Sequence, residues 1–180
     1  MIYILLADGF EDIEALVPRD VLCRAGVDVQ TVGLNSNIIR STNKLEVKVD
    51  KLMDEIEFES LEGIILPGGM PGASNLQKDD NVLKLIDFCY KNNLMIAAIC
   101  AAPMILGKIG ILAGKESCCY PGFERYLEKS IVNEKSVNVC QNIITSRGPG
   151  TSFDFAFAIL EYLRGSDIKD KISSQMQYKI

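Results

Sequence analysis

The sequence predicts an α/β sandwich built around a mostly parallel sheet. Two observations lead there. Short apolar runs, Ile2-Tyr-Ile-Leu-Leu-Ala7, Gly63-Ile-Ile-Leu66 and Leu94-Met-Ile-Ala-Ala-Ile99, have the length and composition of buried strands. Stretches with apolar residues at helical spacing lie between them, and such alternation is the signature of a parallel sheet covered by helices.

The elements follow in order. Ile2–Ala7 is a strand ended by Asp8-Gly9. Ile13, Leu16, Val17, Val21 and Leu22 recur at helical spacing, so a helix is expected over about Ile13–Ala25, stopped by Gly26. Pro18 should start, kink or break it. Val27, Val29 and Val32 give a second strand, and Ile38–Val49 reads as a half-exposed strand or hairpin around Ser41-Thr-Asn43. Met53–Phe58 is acidic and ambiguous. The Gly63–Leu66 strand runs into a glycine-rich loop, Pro67-Gly-Gly-Met-Pro-Gly72. Asp79 or Asp80 can cap a helix that buries Val82, Leu83, Leu85, Ile86 and Cys89. The Leu94–Ile99 strand leads to Cys100, and Ala101–Leu106 reads as the first turns of a helix. Ser117–Tyr120 suggests a short strand and Phe123–Lys129 a helical turn. Val137–Cys140 and Ile143–Ser146 read as strands joined by a tight turn at Gln141-Asn142. After the stiff Arg147-Gly-Pro-Gly150, Thr151 or Ser152 caps an apolar helix through Leu163, closed by Gly165. Asp167–Ile180 is a polar tail with some helical pattern.

Composition bounds the function. The chain has 180 residues, which suits one domain, 1–180, with a sizeable core. At 48% apolar residues it is no disordered chain, and a net charge of −5 argues against a general nucleic-acid or anionic-membrane binder. The first apolar run is too short to span a membrane and lacks a basic leader, which points to a cytoplasmic protein. Six cysteines occur without CxxC or zinc spacing and read as free thiols; no metal site and no cofactor is indicated. There is no histidine. A Cys–His dyad, a Ser–His–Asp triad and a histidine metal site are therefore impossible within the chain.

In such folds, sites gather at the carboxyl ends of strands. Three loops qualify. The first carries Glu11, Asp12 and Glu14; the second offers the N–H groups of Gly68 and Gly69; the third carries Cys100 and the N–H of Ala101. Together they supply an acid, an oxyanion hole and a nucleophile. The small residues beside Cys100 permit the sharp strand-to-helix turn of a nucleophile elbow. A helix N-terminus there favours the thiolate. The competing reading of Cys100 is a small buried hydrophobe. Glu14 competes with a solvated helix carboxylate, and Gly68-Gly69 with an ordinary tight turn. Cys118 and Cys119 read as packing residues, and Arg147 as an anion ligand, a dimer contact or a surface charge.

Gly9-Phe-Glu-Asp-Ile-Glu14, Leu66-Pro-Gly-Gly69, Ala98-Ile-Cys-Ala-Ala-Pro103, Cys119-Tyr-Pro-Gly-Phe-Glu124 and Thr145-Ser-Arg-Gly-Pro-Gly-Thr-Ser152 resemble, in order, motifs of the ThiJ/PfpI family, or DJ-one superfamily, in its bacterial ThiJ-like branch. The resemblance spans Ile2 to about Leu163. It implies a flavodoxin-like three-layer sandwich with a nucleophile-elbow cysteine, and a homodimer with the first helix and the Arg147–Gly150 loop near the interface. It implies that Cys100 is the elbow cysteine, Glu14 its carboxyl partner, and Gly68 and Gly69 the facing backbone donors. Where many members place a histidine this chain has Tyr120, a pocket-lining candidate. That weakens a histidine-based glyoxalase reading and argues against protease activity. Two function classes follow. One is a glyoxalase- or deglycase-like enzyme acting on methylglyoxal, other small carbonyl compounds or glycated adducts. The other is a non-catalytic redox sensor or chaperone whose Cys100 is oxidised to the sulfinic acid.

Overall fold

A computed structural model describes residues 1–178 of the chain. Its elements run β1 (Ile2–Leu6), α1 (Asp12–Arg24), β2 (Val29–Gly33), β3 (Ile38–Arg40), β4 (Glu46–Lys48), β5 (Lys51–Leu52), β6 (Gly63–Leu66), α2 (Gly72–Lys78), α3 (Asp80–Lys91), β7 (Met95–Ile99), α4 (Pro103–Lys108), β8 (Glu116–Ser117), β9 (Ile131–Val132), β10 (Val137–Cys140), β11 (Ile143–Ser146), α5 (Ser152–Arg164) and α6 (Ser166–Gln175).

The central sheet has seven strands in the order β10-β11-β7-β6-β1-β2-β5. Every pairing is parallel except β10 with β11. β1 lies inside the sheet between β2 and β6, with Ile2 opposite Val29 on one side and Gly63 on the other. Its side chains alternate between two cores, as the pleat requires. Ile2, Ile4 and Leu6 pack with Ala15, Val21 and Leu22 of α1 and Phe155, Ile159 and Leu160 of α5. Tyr3 and Leu5 pack on the other face with Leu85 and Ile86 of α3 and Ile105 and Leu106 of α4. Helices thus cover both faces, which makes the three-layer sandwich. Each fully buried Leu, Ile or Phe contributes roughly 1.5–3 kcal/mol, so these two cores carry the stability. No helix among the described residues is long and apolar enough to cross a membrane.

Several details differ from the sequence expectation. Ile13 is 44% exposed, because α1 begins at Asp12 and turns its first apolar residue away from the sheet. Pro18 neither starts nor breaks α1; the helix runs through it, and only the N–H that would have bonded the Glu14 carbonyl is lost. The strand expected at Ser117–Tyr120 is only Glu116–Ser117, paired with Ile131–Val132. Cys118 and Cys119 are buried instead, with the Cys118 N–H bonded to Thr145 Oγ1. Asp79 caps α3 through the N–H groups of Asn81 and Val82. Thr151 stands at the N-cap of α5, but its hydroxyl is spent on Gly148 and Ser146. The polar tail contains α6, and its last two residues lie outside the described residues. Helix α2 has no counterpart in the sequence expectation.

Gly107 in α4 shows how tightly the layers meet. A Cβ there would fall 2.1 Å from the Tyr126 carbonyl oxygen, whereas one at Gly150 would meet nothing within 4 Å. Gly107→Ala should destabilise the protein by about 1–3 kcal/mol through overpacking, while Gly150→Ala should stay within about 0.5 kcal/mol of wild type. Urea unfolding of the two variants checks this.

Candidate active site

The site is built from the carboxyl ends of β1, β6 and β7, where three loops meet. Cys100 follows β7 at φ 63, a left-handed conformation that a non-glycine residue adopts only when its surroundings hold it. Those surroundings are visible. The Cys100 N–H donates to the Ser146 carbonyl at the end of β11 (3.0 Å), and the Cys100 carbonyl accepts from the Tyr120 N–H (2.9 Å). The strand before it and the chain after it therefore fix the turn.

The glycine-rich loop is pressed against both its neighbours. The Gly68 carbonyl accepts from the Glu11 N–H (3.1 Å), and the Gly69 carbonyl from the Ala73 N–H (2.9 Å). A Cβ at Gly68 would stand 2.6 Å from the Cys100 Cβ and 2.7 Å from Glu14 Oε2. Only a glycine lets the backbone pass between the thiol and the carboxyl group. Gly69, at φ +84, would meet the backbone of Gly9 and Glu11 at 2.5 Å if it carried a side chain.

Glu14 comes up from α1 and has no solvent exposure. Its Oε2 accepts the Gly68 N–H at 2.8 Å. Its Oε1 is buried with no partner in hydrogen-bond geometry, although Glu14 and the Cys100 thiol each act on the other's titration. The thiol and the carboxyl group are close enough to share a hydrogen bond as well as to interact through charge, although none meets strict geometry at Oε1. Burial raises the Glu14 pKa from 4.5 to about 7, against the lowering pull of Cys100 and the Gly68 N–H, with Glu11 adding a small push upward.

Two expectations need correction. Cys100 is not a ready thiolate. Burial pushes its thiol up to about 12, the Glu14 charge adds to this, and only the N–H groups of Gly69 and Ala101 pull it down. The helix behind the elbow has just six residues, Pro103–Lys108, so its dipole is too small to outweigh desolvation. The second correction concerns Gly68. Its N–H is committed to Glu14, so the donors left facing the sulfur are those of Gly69 and Ala101.

The remaining candidates are placed as follows. Tyr120 touches Cys100 through its backbone. Its ring lies against Phe123 and against Gly148, where a Cβ would come within 3.0 Å of the ring, and the residue is 46% exposed. Glu11 and Asp12 are anchors at the start of α1: Thr42 Oγ1 donates to Glu11 (3.1 Å) and Asn43 Nδ2 to Asp12 (2.6 Å). No local pattern points to these two hairpin contacts, since the bonds bridge 31 positions. Arg147 Nη1 reaches only the Glu134 carbonyl, at 3.4 Å. Among the described residues, no group of three or more His, Cys, Asp or Glu is arranged to hold a metal ion.

Residues 1–162 match the DJ-1/PfpI family. The chain is 35% identical over 167 residues to the Drosophila melanogaster protein dj-1beta, covering 91% of this chain and 89% of that one. It is 32% identical over 171 residues to a Caenorhabditis elegans protein named glutathione-independent glyoxalase DJR-1.2, covering 91% and 88%. Its fold superposes on that of oxidized Toxoplasma gondii DJ-1 with a TM-score of 0.94 at 32% identity, covering 99% and 98% of the two chains.

The buried Glu14 makes stability depend on pH. Its folded pKa, about 7, lies above the unfolded value of 4.5. The folded state therefore holds this proton more tightly, and stability is lost as pH rises from about 4.5 through about 7. The loss should be about 3 kcal/mol for a shift of this size. Urea unfolding between those pH values should show the loss in wild type and not in Glu14→Gln, which keeps the shape and carries no charge. Parallel pH curves for the two proteins would show that Glu14 is not the group responsible.

Proposed function

This chain belongs to the DJ-1/PfpI family, and from that premise we propose that it is a cysteine-dependent protein of the carbonyl and oxidative stress response. Its substrates in this reading are small carbonyl compounds such as methylglyoxal, or their early adducts with amines and thiols. The observation that carries the reading is the enclosed Glu14–Cys100 pair with its carboxyl pKa near 7. A general base works best when its pKa lies near the working pH, and in a chain without histidine Glu14 is the group that meets this condition.

The proposed chemistry starts with addition. As Sγ of Cys100 bonds to the aldehyde carbon, the Glu14 carboxylate takes the thiol proton. The former carbonyl oxygen becomes an oxyanion beside the N–H groups of Gly69 and Ala101, then takes the proton back from Glu14 to give a hemithioacetal. Glu14 next removes the proton from that carbon and returns it at the neighbouring ketone carbon, while the hydroxyl proton on the first carbon passes to the former ketone oxygen through the enediol. The result is a lactoyl thioester, which water hydrolyses to lactate and free thiol. One carboxyl group serves every transfer, so turnover should fall below that of a relative with a separate histidine. A positioned base contributes about 10²–10⁴-fold, which sets the scale of that deficit.

The second reading, a redox sensor, draws support from the same carboxyl group and from the oxidized state of the similar Toxoplasma gondii structure. A protonated Glu14 can donate a hydrogen bond to an oxygen on an oxidised sulfur, which a carboxylate cannot.

A homodimer is also part of this proposal. Ile13, Ile38, Leu45 and Met70 are 44, 51, 43 and 49% exposed. The β3–β4 hairpin is tied to the start of α1 through Thr42 and Asn43, so the first three of these residues lie on connected elements. They form an apolar surface suited to a second copy.

Two experiments test this. Lactate formation from methylglyoxal should be catalytic in wild type and absent in Cys100→Ser at matched folding; a single stoichiometric adduct would replace the enzyme reading with the sensor reading. Sedimentation at micromolar concentration should give twice the 19.9 kDa chain mass, and a value near one chain would refute the dimer.

A further inference from the structure

We propose that the groove between residues 53–59 and α3 docks a basic amphipathic helix of a partner protein. The groove is remote in function from the Cys100 site, and nothing in the chemistry above uses it. It lies on the connection from β5 to β6. These strands are parallel members of one sheet with β2 and β1 between them, so the connection must cross that sheet face. In a parallel α/β sheet such a crossing is usually made by an α-helix. Here residues 53–62 contain one 3₁₀ turn, Met53–Glu55, and no α-helix. The place where a covering helix would lie beside α3 is filled only by an extended strip of chain.

The result is a cavity of about 470 Å³ open to the surface, with Met53, Ile56 and Phe58 on one wall and Leu85 and Phe88 of α3 on the other. Phe58 is 45% exposed and meets Phe88 edge to face, with ring centroids 4.7 Å apart. A ring held this way while half in water is a pre-formed anchor rather than a core residue. The volume accommodates the apolar side chains of one helix face and not a whole helix.

Charge selects the partner's chemistry. The strip reads Met53-Asp-Glu-Ile-Glu-Phe-Glu59, so apolar residues facing the groove are interleaved with Asp54, Glu55, Glu57 and Glu59, all exposed. Glu57 is paired with Lys51, and Glu55 Oε2 accepts the Leu52 N–H; Asp54 and Glu59 have no ion-pair partner among the described residues. Lys84 is the cation on the opposite wall. Asp54 and Lys84 are the charged residues that line the groove, and Glu55, Glu57 and Glu59 stand beside it on the same strip, so its surround sets four carboxylates against Lys51 and Lys84; that balance is complementary to a helix with an apolar stripe flanked by lysine or arginine.

The test uses ¹⁵N-labelled full-length protein and two synthetic helical peptides of about five turns with leucine on one face. One peptide carries lysine on the remaining positions and the other glutamine. The lysine peptide should bind saturably and shift the amides of residues 53–59, Asn81, Leu85 and Phe88. Phe58→Asp should weaken it by at least about tenfold, as removal of an anchor does. An Asp54→Lys, Glu59→Lys double variant, altered at two exposed acids without an ion-pair partner among the described residues, should do the same and should flatten the salt dependence of the remaining binding. Three results would overturn the proposal: no saturable binding, shifts centred elsewhere on the protein, or equal binding of the glutamine peptide. The last would assign the groove to uncharged apolar ligands.

Discussion

The structure at its functional end depends on one buried carboxyl group. Glu14 sits in a space with no solvent, held by a single backbone N–H from Gly68, with the Cys100 thiol beside it. A fully buried carboxylate is expensive unless paired with a cation, and among the described residues no lysine or arginine pairs with Glu14. The group responds by keeping its proton to about pH 7. Everything around it is arranged to bring this about. Gly68 has no side chain because the thiol and the carboxyl oxygen occupy that space. The loop is pinned through Glu11 and Ala73, and the start of α1 is pinned through the hairpin by Thr42 and Asn43.

The thiol and the carboxyl group are best understood as one titrating unit. While Glu14 is ionised, its charge helps to hold the Cys100 thiol near 12. Once Glu14 is protonated, that repulsion disappears and the carboxyl group becomes a possible donor to the sulfur. Two negative charges side by side in a buried site are the costly state, and the pair avoids it by sharing protons. In the proposed reaction the thiol is therefore activated by proton transfer to its neighbour, not by a standing thiolate. The N–H groups of Gly69 and Ala101 then stabilise negative charge on sulfur or on an added oxygen.

Much of the fold was legible because it is carried by local pattern. The apolar runs of β1, β6 and β7, the Asp79 cap and the glycine stops at 26 and 165 are short-range signals with short-range causes. The three site loops were found because parallel sheets place them at strand ends. What escaped depends on tertiary context. The Thr42 and Asn43 contacts join residues 31 positions apart, so no window of sequence reveals them. α2 begins within a loop whose glycines and prolines argue against a helix, and packing of Ala73 and Leu76 into the core overrides that. The thiolate expectation failed for a quantitative reason. The sequence showed a helix after the cysteine, but neither its six-residue length nor the depth of burial that outweighs it.

The same reasoning sets the surroundings of Cys100 apart from those of Cys89, Cys118 and Cys119. Burial pushes Cys89 up to about 12, and its surroundings contribute nothing that brings it down. Cys119 is pushed equally high by burial, and the charges of Glu124 and Cys118 add to this against the pull of Arg147. Cys118 is raised by burial too, although Thr145 and Asn138 bond to it. Cys100 has the same high resting value as Cys89 and Cys119, so ease of ionisation does not distinguish it. What distinguishes it is a proton acceptor near pH 7 in contact with it and two N–H groups aimed at the charge that would form. A thiol at about 12 that can hand its proton to Glu14 as a new bond forms does not need to be ionised beforehand. That ties its reactivity to the enclosure that also holds Glu14, so opening the pocket to water would lower the carboxyl pKa and remove the proton that steadies a charged sulfur.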